Sequence, residues 1–324
     1  MSKTPSGPNV VCVGGGHGMA QVLHAALGYA GSITAVVTVA DDGGSSGRLV
    51  PDLDIPPPGD IRRCLLALTP EDSPWRDVFE YRFDGADVSG HSLGNLIIAA
   101  LADLEGDFEA GLAHAQRLLG SAGAVIPAAP AHLRLSATID GRLVQGQDTI
   151  GKTPGRIDAL RVTPDGVRAS DHAVEAIMSA DQIVVGPGSL YTSIIATLLV
   201  PGIAHATNRS AGCLVYVANL ITQDTETLGM DGPAHLAALM ELTGVRNPDA
   251  IVAASDPVAV QPPLESVRFD PEATAVIGAE VVLAELADPA AEWPQHDATK
   301  LGEVLAAMAA RHARSQQPSI GGTP

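Results

Sequence analysis

The stretch Val11-Cys12-Val13-Gly14-Gly15-Gly16-His17-Gly18 puts four glycines among five residues, directly after an apolar run. A strand that ends in glycines and opens a helix lets a phosphate approach bare backbone. The helix N-terminus then adds unpaired N–H groups and partial positive charge. The turn fits neither standard nucleotide motif. With Gly14 and Gly16 in the first two places of GxGxxG, the third falls on Met19, and no Gly-Lys-Ser/Thr follows as a P-loop requires. A tight strand–helix turn without ligand is the plain alternative.

Other segments share this chemistry. Asp41-Asp42-Gly43-Gly44-Ser45-Ser46-Gly47-Arg48 offers two carboxylates that suit Mg²⁺ or the hydroxyls of a ribose or sugar. In Pro57-Pro58-Gly59-Asp60-Ile61-Arg62-Arg63, Asp60 reads as a helix N-cap with two arginines in the first turn. Those charges oppose the helix dipole, a misfit that a neighbouring anion would relieve. Ser89-Gly90-His91-Ser92-Leu93-Gly94-Asn95-Leu96 holds a candidate acid or base, His91, and a candidate cap or sugar contact in Ser92 or Asn95. Gly186-Pro187-Gly188-Ser189 is a second glycine turn between an apolar run and a hydroxyl-rich helix start, and Asn219 follows another apolar run. No HxH, HExxH or Cys/His cluster argues for zinc. The order Gly186-x-Gly188-Ser189 is not a nucleophile elbow.

The elements that must position these residues follow from periodicity. Strands are expected at 9–13 and 33–40 with a helix at 19–27 between them, the opening of a doubly wound, Rossmann-like sheet. Residues 51–59 carry four prolines and read as a loop. Helices follow near 60–68, 74–82, 92–104 and 108–119. Residues 124–168 read as a β-rich insertion, with Asp140-Gly141 marking a hairpin. The α/β pattern returns with helix 171–179, strand 182–185, helix 190–199, strand 214–217, helix 232–242 and strand 250–253. Residues 254–274 read as loop, and 276–286 and 299–312 as helical or strand-then-helix. The fold class is therefore α/β, a mostly parallel sheet in one domain over 9–312. A leader at 1–8 and a polar tail at 313–324 flank it. At least four of the motifs fall where buried strands end, which is where ligands of open α/β sheets bind.

Composition narrows the function. The chain has 324 residues, 46% hydrophobic and 3% aromatic, so its core rests on Ala, Val, Leu and Ile. A formal net charge of −18 repels nucleic-acid phosphates. An anion site must then be built locally from amides and a few arginines, because Lys3, Lys152 and Lys300 are the only lysines. Cys12, Cys64 and Cys213 lie far apart in apolar runs and read as buried thiols of a reducing compartment. The longest apolar run, 193–200, falls short of the roughly 20 residues a bilayer needs, and no cleavable leader is visible, so a cytoplasmic protein is expected.

The segments GGGHG, VTVADDGGSSGRL, DIPPPGDIRRCLLAL, SGHSLGNLIIAAL and VVGPGSLYTSI closely resemble those of the YvcK-like proteins, the bacterial gluconeogenesis factors also called GlmR or CuvA. The resemblance runs from about Asn9 to Leu242. It implies a fold shared with the CofD 2-phospho-lactate transferases, Mg²⁺-dependent enzymes that join a nucleotide-activated phospho-acid to a deazaflavin. For the YvcK-like branch it implies binding of UDP-N-acetylglucosamine without established turnover. It also implies support of cell shape and wall synthesis on gluconeogenic carbon sources, and a partner in the route to glucosamine phosphate. Carried onto this sequence, with the motifs above, the ligand set is Gly14, Gly15, Gly16, His17, Gly18, Asp41, Asp42, Ser45, Arg62, His91, Asn95, Gly186, Gly188, Ser189 and Asn219, with Asp41 and Asp42 for a metal. His17 stands where the family usually has Thr, and Ala196-Thr197 where Pro-Asn is common. A CofD-type transferase and an NAD-binding protein remain as alternatives, and the oligomeric state is open, a homo-oligomer included.

Overall fold

The computed structural model describes residues 7–53, 55–85, 88–270 and 278–316. Among them the strands are β1 (Asn9–Gly14), β2 (Ser32–Val37), β3 (Ala124–Pro127), β4 (Arg134–Ile139), β5 (Arg142–Gln145), β6 (Ile157–Thr163), β7 (Gln182–Val185), β8 (Cys213–Val217), β9 (Ala250–Ala254) and β10 (Glu280–Ala284). The helices are α1 (Gly16–Leu27), α2 (Gly44–Leu53), α3 (Pro58–Ala67), α4 (Trp75–Glu80), α5 (Leu93–Glu105), α6 (Phe108–Leu119), α7 (Gln147–Ile150) and α8 (Asp171–Met178). A π-helical turn, Leu190–Ile195, then runs into α9 (Ala196–Leu198), followed by α10 (Ile203–Arg209), α11 (Gly232–Thr243) and α12 (Ala298–Gln316).

Seven strands form one sheet in the order β10-β9-β8-β7-β1-β2-β3, every pair parallel. Side chains alternate across it as the pleat requires. Val10, Cys12, Ala35, Val37, Val184, Val215 and Val252 face a core filled by α1, α3, α5, α6 and α12. Val11, Val13, Val36, Ile183, Val185, Tyr216 and Ile251 face a second core under α8, α10, α11 and the small antiparallel sheet β5-β4-β6. Burial on both faces explains why these strands read as continuous apolar runs. The edge at β3 is closed to further pairing. Val125 N donates to Gln116 Oε1 at 2.8 Å, and two residues on, Pro127 has no N–H to offer.

The chain lays down β1, β2 and β3 in one direction, then returns to place β7 on the other side of β1 and continues outward through β10. The direction of winding therefore reverses between β1 and β7. In such sheets the two loops leaving the carboxyl ends part and open a crevice. These two loops are Gly14–Gly16 and Gly186–Ser189.

Several elements depart from the sequence reading. β3 belongs to the main sheet, so the β-rich insertion begins only at β4; four residues of buried apolar character are equally compatible with either sheet. Its hairpin is as expected: Ile139 pairs with Arg142, with Asp140 at φ 47° and Gly141 at φ 75° in a two-residue primed turn. The proline-rich stretch 51–59 is shared between α2, which runs to Leu53, and α3, which starts at Pro58; proline is tolerated in a first helical turn. The 276–286 segment contributes β10. The helix expected at 190–199 opens as a π-helix, and α12 continues to Gln316, four residues into the expected tail. No single helix among the described residues is long and apolar enough to cross a membrane.

Candidate functional site

The two glycine turns touch. A Cβ placed on Gly188 would lie 3.0 Å from Gly15 O. Gly16 opens α1 at φ +71°, a backbone conformation that a side chain would strain. Asn219, just past β8, holds the second turn from both sides: its Oδ1 accepts from Gly188 N at 3.0 Å and its Nδ2 donates to Gly188 O at 2.9 Å. Above them lies a cleft of about 1220 Å³. Its floor is Gly16, His17, Gly18, Gly188, Ser189 and Asn219, and its walls come from 220–224, 259–264 and 292–296.

Both helix starts at this crevice already carry a carboxylate. Asp60 Oδ2 accepts from Gly16 N at 2.9 Å while Oδ1 pairs with Arg63. Asp60 is thus not the N-cap of α3; Pro57 is, and Asp60 sits in the first turn, where its charge also suits the helix dipole. At the second turn, buried Glu226 accepts from Tyr191 N at 3.2 Å and from Thr192 Oγ1 at 2.6 Å. Burial holds the Glu226 carboxyl above the usual range, opposed by those donors. The amides expected to bind an anion after Gly188 are therefore largely satisfied from within. At α1 the next two amides, of His17 and Gly18, belong to the first turn, where a helix supplies no internal acceptor. His17 is exposed at the cleft floor. Partial desolvation of its ring and the Arg63 charge lower its pKa, while Asp60 raises it.

A second group of the expected residues sits outside the cleft lining, behind Asp60. Arg62, only 6% exposed, donates from Nε to Asn95 Oδ1 at 3.1 Å and from Nη1 to Phe79 O at 3.2 Å. Asn95 Nδ2 donates to Ser45 Oγ at 3.1 Å, and Ser45 Oγ meets His91 Nδ1 at 3.0 Å. Burial and Arg48 hold His91 below its usual pKa. This chain ties α2, α3 and α5 together. Ser92 occupies the N-cap of α5, yet its hydroxyl donates to Phe79 O instead of capping. Asp41 lies against α3, where its Oδ2 comes within 2.9 Å of a Cβ placed on Gly59. Burial and then the Asp60 charge raise its pKa, against the Gly43 amide and Ser46. Asp42 is spent elsewhere: its oxygens accept from Gln147 N at 3.0 Å and Asp148 N at 2.8 Å, which anchors α7 of the small sheet.

The structure thus brings Gly16, His17, Gly18, Gly188, Ser189 and Asn219 together at the cleft. Gly14, Gly15 and Gly186 shape its floor without lining it. Ser45, Arg62, His91 and Asn95 form the adjoining network, and Asp41 lies next to Asp60 with bonds to Gly43 and Ser46. Glu226, Trp293 and His296 had no sequence signal, because each lies in a segment without periodic pattern. No group of three or more His, Cys, Asp or Glu among the described residues is placed to hold a metal.

Known proteins share this architecture. The profile of the CofD family, described as 2-phospho-L-lactate transferase CofD, matches residues 10–287. A gluconeogenesis factor of Bacillus subtilis is 39% identical over 92% of this chain and 97% of its own length. One from Halalkalibacterium halodurans is 43% identical over 78% of this chain and 79% of its own length. The chain belongs to the gluconeogenesis factor family, within the CofD-like proteins. A putative gluconeogenesis factor of Mycobacterium tuberculosis is 39% identical over 97% of this chain and 94% of its own. A crystal structure of a UPF0052 family member from Bacillus halodurans superposes with a TM-score of 0.88 at 37% identity, covering 92% of this chain and 98% of that one. The CofD profile match spans the described sheet through β10, including β9 and β10, which lie beyond the stretch that carries the sequence resemblance.

Proposed function

We propose that this gluconeogenesis factor binds a nucleoside-diphosphate sugar, UDP-N-acetylglucosamine, in the switch-point cleft. In this reading it acts as a regulatory protein of cell-wall precursor supply and cell shape under gluconeogenic growth, through an enzyme that makes glucosamine phosphate. The observation that carries the ligand class is the meeting of the two glycine turns below a cleft of about 1220 Å³. That is room for a dinucleotide-sized molecule. Bare amides at the α1 start suit a diphosphate in an otherwise acidic protein. The regulatory role rests on the family, and on the absence of a nucleophile–base pair among the cleft-lining residues.

Isothermal titration of the full chain with UDP-N-acetylglucosamine tests it. Saturable binding is expected; no heat from folded protein at millimolar ligand overturns it. NAD would occupy the same cleft and is the competing ligand in that titration.

A second reading has one observation in its favour. Asp41 and Asp60 lie beside the first glycine turn, with Asp60 bonded to it and raising the Asp41 pKa. Mg²⁺ needs only one or two protein carboxylates when substrate phosphates complete its shell. In a metal-assisted transferase of CofD type Asp41 would be the protein carboxylate, since both Asp60 oxygens are engaged by Gly16 N and Arg63, as both Asp42 oxygens are by Gln147 N and Asp148 N. Nucleotide release in the presence of a deazaflavin acceptor and Mg²⁺ would establish it.

A further inference from the structure

Two buried acceptors in the cleft wall, Gln223 Oε1 and His296 Nε2, find no hydrogen-bond partner among the described residues. Such groups carry their full desolvation cost, and in native proteins they call for an explanation. His296 is 5% exposed and its ring bonds to the Ala218 backbone at the end of β8. Since Nε2 is the unpartnered nitrogen, Nδ1 makes that bond and carries the proton, so Nε2 presents a lone pair. Burial pushes the imidazole down to about 4, which keeps it a neutral acceptor at physiological pH. Gln223 is fixed from the other end, its Nε2 donating to Ser189 Oγ at 3.0 Å. Oε1 is therefore the end left without a partner.

The cleft lining also carries Trp293, 63% exposed, together with Pro262, Pro263 and Leu264. An indole this open in a cleft is a flat apolar surface of the kind that stacks on a heteroaromatic ring. The cleft lining thus offers two kinds of group: backbone amides at the start of α1, and an exposed aromatic surface with two unpartnered neutral acceptors, of which Gln223 is bonded to Ser189 of the second glycine turn.

We infer that the part of the lining formed by Gln223, Trp293 and His296 is a nucleoside subsite, in which Trp293 covers the face of the base and Gln223 Oε1 and His296 Nε2 accept hydrogen bonds from its N–H or ribose O–H groups. The inference deepens the proposed reading and rests on it in setting the diphosphate at the glycine turns. It makes these three residues the determinants of nucleotide choice, since a buried acceptor rejects an analogue that lacks the matching donor.

The test is calorimetric titration of the full chain, and of His296→Phe, Gln223→Leu and Trp293→Ala, with UDP, 2′-deoxy-UDP and N3-methyl-UDP. Each variant should bind UDP roughly 10- to 100-fold more weakly. Wild type should lose a comparable factor on whichever analogue lacks the donor, and His296→Phe or Gln223→Leu should erase that discrimination. The analogues separate ribose from base recognition. Variants that bind UDP as tightly as wild type overturn the subsite. So does a wild type indifferent to both analogues. Trp293 is exposed, so Trp293→Ala keeps the test sound if a buried variant melts early. A wild type that takes GDP or NAD but not UDP-N-acetylglucosamine overturns the uridine reading alone, and the subsite is then judged on that nucleotide with the same variants. A wild type that binds no nucleotide overturns both.

Discussion

A methyl group on Gly18 would lie 2.4 Å from the carbonyl oxygen of Pro187. The two loops at the switch point are therefore held together at one glycine of α1. Elsewhere in a helix, alanine is favoured over glycine by about 0.5–1 kcal/mol. Here Gly18→Ala should instead destabilise by about 1–3 kcal/mol, because backbone must give way. Denaturant unfolding decides the sign, and a stabilised variant would show that the loops part freely.

Asp60→Asn removes the charge that Gly16 N and Arg63 share. A loss of about 1–3 kcal/mol is expected for a buried, charge-assisted bond. A second consequence is specific to this arrangement. Burial and then the Asp60 charge hold the Asp41 carboxyl up. In the variant Asp41 should titrate at lower pH by carboxyl NMR. An unmoved Asp41 would show that the two carboxylates do not sense each other.

The Arg62–Asn95–Ser45–His91 chain is predicted to be structural. Asn95→Ala strips Arg62 of its side-chain acceptor and Ser45 of a donor. It should cost about 1–3 kcal/mol, more than Ser45→Ala. Neither variant should alter nucleotide affinity greatly, since neither residue lines the cleft. A large loss of affinity in folded Ser45→Ala protein would place the ligand on the α2 side.

His296 gives the fold a measurable acid sensitivity. Its folded value of about 4 lies below the ordinary 6.5. Well above pH 6.5 the ring is neutral in both states and adds no pH-dependent contribution. As pH falls from 6.5 through 4 the unfolded chain gains a proton that the folded chain refuses, so about 3 kcal/mol of stability is lost. Asp41 and Glu226, whose carboxyls are held up, contribute in the opposite direction. The wild-type minus His296→Phe difference isolates the histidine. It should slope over that window; parallel stability curves would contradict the burial of a neutral ring.

Most of the sheet was legible because both its faces are buried. β1, β7 and β8 appear as short apolar runs that end in glycine or run into asparagine, and that punctuation located the crevice. β3 was not assigned to the main sheet because four apolar residues carry no mark of which sheet they join. The cleft floor was legible for the same reason as the strands: glycine turns have a composition. Asp60 was visible but misplaced as a cap, since sequence spacing cannot show a bond 44 residues away to Gly16. Asp42 looked as available as Asp41 until α7 of a distant hairpin took both its oxygens. Trp293 and His296 were silent because their roles come from where an irregular segment returns to the end of β8, a fact held in tertiary contacts alone.

The central claim is that the cleft between β1 and β7 is where a nucleoside-diphosphate sugar binds. Hydrogen exchange of the full chain, with and without saturating UDP-N-acetylglucosamine, reads it directly. Protection is expected in peptides spanning Gly14–Gly18, 219–224 and 292–296. Protection confined to α2 and α5, or none at all, would contradict it.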